Sequence, residues 1–364
     1  MSSQAFNNAT ANNFRYRNRL LNPDSYIDQR NSGALVTAAG YTVDRYVVGQ
    51  IGTAGILSSQ QDVSTFLGNN QPTFSSHKIN VVTQHASLAA GDQYARFQPI
   101  EISKMRDSFW GTANAQPFVY TIGIYVPVAG VYSVSFRNYA ATRSYVSTIT
   151  IANANTLEFH SIVVPGDTGG TWATTPASAG FMYITLDLGA GSTYTTSTLN
   201  TWQTGNFTKA TGSQSFCANT AATSMHVAWE QFEINYATAP EIVPLELALL
   251  QCQRYCQILG QNVGGGSNYF GHGFVQSTNS GHALIQLGTP MRVAPTPTAV
   301  GISGMGYTSQ AASSVVTAIS VFGIASTTSI AILFTGTGTP YTLGQAAYVY
   351  SSSTGTYIVL SSEL

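Results

Sequence analysis

Val131-Tyr-Ser-Val-Ser-Phe136 and Phe181-Met-Tyr-Ile-Thr-Leu-Asp-Leu188 each carry an apolar side chain at every second position. A pleated strand sends successive side chains to opposite faces, so this period predicts β-strands with one face in a core. Runs of the same kind recur from Gly40 onward: Tyr41 to Gly49, His77 to Val82, Tyr94 to Ile102, Phe118 to Val126, Gly130 to Asn138, Tyr145 to Ile151, Leu157 to Val164 and His226 to Ile234. Between them, Pro165-Gly-Asp-Thr-Gly-Gly170 and Gly189-Ala-Gly191 read as turns, because Gly supplies positive φ while Pro and Asp suit turn positions. Short strands at this spacing predict an all-β chain with a jelly-roll β-sandwich.

Composition agrees. Of 364 residues, 44% are hydrophobic but only 8% are charged, where roughly a quarter is usual. The surface is therefore made of hydroxyls and amides, which favour turns and strands over helices. A net charge of -1, from 14 basic and 15 acidic residues, gives no electrostatic footprint for nucleic acid or anionic lipid. No apolar run is long enough to span a bilayer, so no membrane insertion is expected, and Met1 to Thr10 lacks the basic and apolar segments of a signal peptide. We expect a soluble chain that does not use the Sec route. Cys217, Cys252 and Cys256 are too few for a disulfide framework and read as buried thiols of a protein assembled in a reducing cytoplasm.

Four parts are expected. Residues 1–30, with Arg15, Arg17 and Arg19 and no apolar period, suit an extended arm leaning on a neighbouring subunit or domain. Residues 31–237 form the sandwich, 238–263 a helix and hinge, and 264–364 a second, smaller C-terminal β domain. The helix is predicted over about 240–259, where Leu245, Leu249, Cys252, Cys256 and Leu259 recur at 4-3-4-3 spacing before Gly260. That stripe either packs on the sandwich or forms the seam of a short trimeric bundle. Gly264-Gly-Gly266 follows as a hinge, and no internal repeat points to a solenoid.

Several segments resemble a family of tailed-bacteriophage fibre, spike and other virion proteins. Asn18-Arg-Leu-Leu-Asn-Pro23, Ile27-Asp-Gln-Arg-Asn31 and Tyr41-Thr-Val-Asp-Arg-Tyr46 look like its opening segment, with Tyr46 where Trp is usual. Phe109-Trp-Gly111, Ile162-Val-Val-Pro-Gly-Asp-Thr-Gly-Gly-Thr-Trp172, Leu188-Gly-Ala-Gly-Ser-Thr-Tyr194 and Trp202-Gln-Thr-Gly-Asn206 are similar to its jelly-roll strands and turns. Phe232-Glu-Ile-Asn-Tyr-Ala-Thr-Ala-Pro240 and Leu245-Glu-Leu-Ala-Leu-Leu-Gln-Cys-Gln-Arg-Tyr255 resemble the exit and the Glu-Leu-Ala-Leu-Cys-Gln-Arg-Tyr-Tyr helix, with Cys256 in place of the last Tyr. Pro290-Met-Arg-Val-Ala-Pro-Thr296 and Ser362-Glu-Leu364 look like the C-terminal module. The resemblance implies a carbohydrate-binding-like jelly roll and a place in the virion, on tail or head, without an active site.

The residues give catalysis little footing. A glycosidase needs two carboxylates across a cleft, and Asp167, Asp187, Glu158, Glu230 and Glu233 show no pairing motif; Glu230 and Glu233 fall on opposite faces of one strand. Asp44 and Asp107 converge only if the fold brings them together. No Gly-x-Ser-x-Gly elbow, phosphate loop or zinc spacing occurs, so we expect no catalytic residue and no zinc. Asp167, in its Gly-rich turn, is the one position where a structural calcium is considered, beside the alternative of a capped turn. Binding suits the chain better: Trp110, Trp172 and Trp202 lie in or beside turns and are the candidate glycan contacts, with burial in the core as the alternative.

The expected function is that of a virion structural protein, a tail fibre or spike component that attaches to host surface polysaccharide. It would act as a homotrimer and join other virion proteins through the arm. The other readings are a head-decoration, head-fibre or tail component without receptor binding, and, last, a glycan depolymerase.

Overall fold

The computed structural model describes residues 17–52, 54–63, 75–264, 266–309, 313–323, 325–337 and 341–364. They divide into two compact units that meet in sequence at Pro244 and Leu245. The strands of the first are β1 Gly40–Val43, β2 Tyr46–Ile51, β3 Ile56–Asp62, β4 Ser76–Thr83, β5 Gln93–Glu101, β6 Phe118–Val126 and β7 Gly130–Asn138. They continue with β8 Arg143–Ile151, β9 Thr156–Val164, β10 Gly180–Ala190, β11 Thr195–Thr196, β12 Trp202–Thr204, β13 Lys209–Ala210 and β14 Ser224–Ile234. A seven-stranded sheet in the order β1-β2-β5-β10-β7-β8-β12 lies against a five-stranded sheet in the order β3-β4-β14-β6-β9. This is an all-β jelly-roll sandwich. The alternation that announced it sorts side chains by face: Met182, Ile184, Leu186 and Leu188 enter the core, while Thr185 and Asp187 leave it on the other side. Each such apolar side chain contributes about 1.5–3 kcal/mol on burial.

A buried polar network crosses that core between the sheets. Arg96 on β5 and Glu230 on β14 meet at 2.7 Å with both side chains buried. Tyr120 OH donates to the other carboxylate oxygen at 2.5 Å, and the guanidinium lies 3.9 Å from the centroid of the Tyr46 ring. Arg96 Nε donates to His77 Nδ1 at 2.9 Å, so His77 is neutral with its proton on Nε2, 3.0 Å from Thr42 Oγ1. Burial, and then the Arg96 charge, hold the His77 pKa well below its ordinary value.

The described part of the N-terminal segment leans on the sandwich of its own chain. In residues 17–30, Leu20, Leu21 and Ile27 are buried, Arg19 N donates to Phe232 O, and Leu21 exchanges two hydrogen bonds with the Gln98 side chain. Asparagine side chains do the work that a periodic apolar pattern would have advertised; Asn22 donates to the carbonyls of Ile27 and Asp44 and accepts from Ile27 N. Residues 1–16, including Arg15, lie outside the described residues.

The second unit opens with α1 Leu245–Gln253 and continues with β15 Cys256–Leu259, β16 Asn268–Val275, β17 Ser280–Gln286, β18 Thr296–Val300 and β19 Met305–Ser309. It ends with β20 Ser313–Val321, β21 Ser329–Gly336, β22 Ala346–Ser351 and β23 Tyr357–Ser361. Strands β16-β17-β21-β20-β19-β22 close a barrel, and β15-β23-β18 form a small antiparallel sheet. The predicted helix over 240–259 is therefore too long by two elements. Pro240 and Pro244 keep the chain out of a helix before Leu245, and Cys256–Leu259 pairs with Ser361–Ile358 as a strand. Its five-residue seam does not survive as one stripe: Leu245 is exposed, Leu249 half-buried and Cys252 buried on the helix, while Cys256 and Leu259 belong to β15. The helix also goes with the C-terminal unit, not with a separate 238–263 linker. Cys217, Cys252 and Cys256 are unbridged and buried.

Removing one partner of the core ion pair, as in Arg96→Met or Glu230→Gln, is expected to cost about 3–5 kcal/mol in denaturant unfolding. The double replacement Arg96→Met/Glu230→Leu should recover most of that loss. Histidine burial sets a pH dependence. Burial holds the folded-state value of His77 well below the ordinary histidine value of 6.5 and lowers that of His226 to about 4. The unfolded chain then binds more protons, so the stability they contribute is present above about pH 6.5 and is lost as pH falls towards the folded values, by about 1.4 kcal/mol per group per unit. Thermal unfolding between those limits, compared with His226→Asn, checks the slope.

Candidate functional site on the barrel

Strands β16, β17 and β22 are neighbours in the barrel wall, and their register gathers one set of outward side chains. His272 faces Leu284 on β17 and Tyr348 on β22, and Phe274 faces His282 and Ala346. The intervening residues Val275, Ala283, Ile285, Ala347 and Val349 are buried inside. Gly273 permits this close pairing, since a Cβ there would lie 1.7 Å from His282 O. The result is a cup of about 440 Å³ walled by His272, Phe274, His282, Leu284 and Tyr348.

The rings are unusually open for a β surface: Phe274 is 56% and Tyr348 53% exposed, with Tyr269 at 58% beside them. Tyr269 meets Tyr348 edge-on at 6.2 Å. His282 is held flat against Phe322, centroids 4.4 Å apart, and its Nδ1 has no hydrogen-bond partner. From Gly264 to Ser361 the only charged residue is Arg292. The cup thus offers apolar ring faces, two imidazoles and a phenol hydroxyl in an uncharged wall. That equipment suits a neutral amphipathic ring, whose C–H face stacks while its hydroxyls reach polar edges.

The tryptophans chosen from the sequence are elsewhere and face inward. Trp110 and Trp172 are buried at 4% and 7% exposure, and Trp202 packs partly buried on the same core. Their centroids lie 4.9–5.5 Å apart. Each indole N–H is taken, by Gln116 O, Asp167 Oδ2 and Pro165 O respectively. They close one end of the sandwich core, Trp110 and Trp172 with almost no surface left for a sugar and Trp202 half-buried beside them. Asp167 is equally occupied: its oxygens accept from Arg143 Nε and Nη2, both at 2.7 Å, and from Trp172 Nε1 and Gly169 N. Donors on both oxygens leave a cation no lone pairs, the geometry of a capped turn with an ion pair.

The acids named from the sequence do not converge. Glu230 is bound by Arg96, Asp187 faces Lys209, Asp107 faces Arg19, and Glu158 caps the backbone of Ala152 and Asn153. Glu233 accepts from Thr238 and Gln231 on the face opposite Glu230. Among the described residues no three His, Cys, Asp or Glu side chains are grouped to hold a metal ion.

No family model matches the chain, and no curated protein matches it. Solved structures similar to it include the enzymatically active domain of tailspike protein 4 of bacteriophage CBA120, at 10% identity and TM-score 0.28, covering 58% of this chain and 22% of that one. A family 61 carbohydrate-binding module in complex with β-1,4-galactotriose has 10% identity and TM-score 0.30, covering 60% and 99%. A family 11 carbohydrate-binding module from Clostridium thermocellum has 7% identity and TM-score 0.28, covering 57% and 99%. The chain spans less than a quarter of the tailspike structure it matches. The jelly-roll assignment itself rests on the strand order given above.

Core and cup aromatics should separate in unfolding experiments. Trp110→Ala is expected to lower stability by about 3–5 kcal/mol, whereas Phe274→Ala and Tyr348→Ala, in exposed positions, should stay within about 0.5 kcal/mol of the parent.

Proposed function

We propose that this protein is a non-enzymatic attachment module of a bacteriophage particle, and that the barrel cup binds neutral glycan on the host surface. The observation that carries the reading is the group of exposed rings, Phe274, Tyr348 and Tyr269, set around a formed cup in a wall without charge. Exposed apolar area of this kind on a soluble fold marks a contact surface, and its lining matches sugar chemistry better than a metal or a charged substrate. The resemblance of the opening segment, jelly roll and helix to phage fibre and spike proteins supports the virion location. Weak single sites of this type gain avidity in copies, which is why a homotrimer fits the function.

Isothermal titration of the full chain with oligosaccharides of the host surface tests the reading. Phe274→Ala and Tyr348→Ala should each weaken binding about tenfold or more, the scale of a lost stacking anchor. Because no charge lines the cup, affinity should change less than about twofold as sodium chloride rises several-fold. Glycan binding that ignores both substitutions would remove the cup from the account, and glycan products appearing in the cell would make the protein an enzyme instead.

A further inference from the structure

The outer face of the seven-stranded sheet carries a second set of side chains that the barrel cup does not use. Register places Phe97, Thr185 and Ser135 in one row across β5, β10 and β7, with Tyr183 and Arg137 side by side in the next. Tyr139 lies flat on Tyr183, centroids 5.0 Å apart and planes 19° from parallel, and Phe97 meets Tyr183 edge-on at 5.5 Å. Gly180 makes room for this platform, because a Cβ there would sit 2.1 Å from the Tyr139 ring. Tyr139 is 36% exposed and the other two rings are half-buried.

Beside the platform lies a cation without a counter-charge. Arg137 is only 7% exposed, its Nη1 donates to Asn206 Oδ1 at 2.5 Å and its Nη2 to Thr185 Oγ1 at 3.2 Å, and its Cζ lies 5.4 Å from the Tyr183 centroid. Both partners are neutral. Arg137 Nε has no partner, and neither has Ser135 Oγ, two residues earlier on the same strand face. No carboxylate among the described residues pairs with Arg137; Asp187, further along β10, faces Lys209 at 3.3 Å. Burial alone pushes the Arg137 pKa down to about 10. The contrast with Arg96, which is just as buried but answered by Glu230, shows how this fold treats a cation whose role is internal. A buried charge left unanswered is costly, and an incoming anion relieves it.

We propose that this face is a second ligand site, independent of the barrel cup, and that it takes an acidic sugar. The apolar side of the ring lies on Tyr139, the more exposed ring of the stacked pair, and its carboxylate accepts from the Arg137 guanidinium. A planar guanidinium recognises a planar carboxylate through paired N–H groups. The neighbouring aromatic platform selects a sugar acid over a free inorganic anion.

The test titrates the full chain with oligomers of galacturonate, glucuronate and N-acetylneuraminate, each beside its uncharged methyl ester. At least one acid should bind about tenfold tighter than its ester, one charge-assisted contact's worth, with chemical shifts of Tyr139 and Tyr183 moving on binding. Arg137→Met should abolish that preference while leaving the melting temperature unchanged or higher, since it removes an uncompensated buried charge. Arg137→Lys, which keeps the charge but loses the fork, should retain only part of the preference. Tyr348→Ala in the barrel should change none of this, which separates the two sites. Equal affinity for every acid and its ester, no binding of any acid by the folded parent, or a preference that persists in folded Arg137→Met would each overturn the proposal. So would a lowered melting temperature in Arg137→Met together with an ester-like parent, the mark of a structural arginine.

Discussion

The buried pair of Arg96 and Glu230 is the constraint around which the sandwich is arranged. Two sheets joined by apolar contacts alone slide at little cost, because such contacts have no direction. A charge pair has both direction and a high cost of failure. Here β5 and β14 are held in one relative position by a 2.7 Å contact, and the surrounding polar atoms are chosen to suit it. Tyr120 gives its proton to the carboxylate, Tyr46 offers its ring to the guanidinium, and His77 accepts from Nε. That last bond fixes the histidine tautomer and with it the contact to Thr42 on β1, so the network extends from the middle of the core to the edge of the seven-stranded sheet. Such a pair is weak evidence for net stability; its use is to specify one alignment.

Much of the fold was legible because strand alternation and turn chemistry are local properties. Phe118–Val126 and Gly130–Asn138 run between the same residues in sequence pattern and in structure. Ile56–Asp62 was missed, since Ser-Ser-Gln-Gln-Asp has no apolar period and becomes a strand only by pairing with β4. The helix was overextended for a related reason. A 4-3-4-3 spacing is periodic enough for a helix, yet Cys256 and Leu259 are claimed by pairing with β23, a partner about a hundred residues away that no local window contains. The contacts of residues 17–30 were not legible, because their order comes from side-chain amides binding distant backbone.

The functional residues were harder to read. Tryptophan beside a turn suggested exposure, but three such residues pack on one another and on Phe181 and Phe232, filling the end of the core. The cup was hidden in Tyr269-Phe-Gly-His-Gly-Phe274, where aromatic and imidazole groups occupy positions that alternation assigns to solvent. That mismatch between side-chain character and facing direction is a usable signal once a strand's orientation is known. Arg137 is the converse, since nothing in Ser-Val-Ser-Phe-Arg-Asn138 distinguishes an arginine that meets a carboxylate from one that does not; only the paired neighbours reveal it.

The three cysteines carry a consequence for chemical durability. All are buried and unbridged, and burial pushes the Cys217 thiol up to about 12, leaving almost none of the thiolate that attacks disulfides or meets oxidants. No disulfide joins the three cysteines. With its three thiols buried and unbridged, the fold rests on packing and hydrogen bonds, not on a covalent framework.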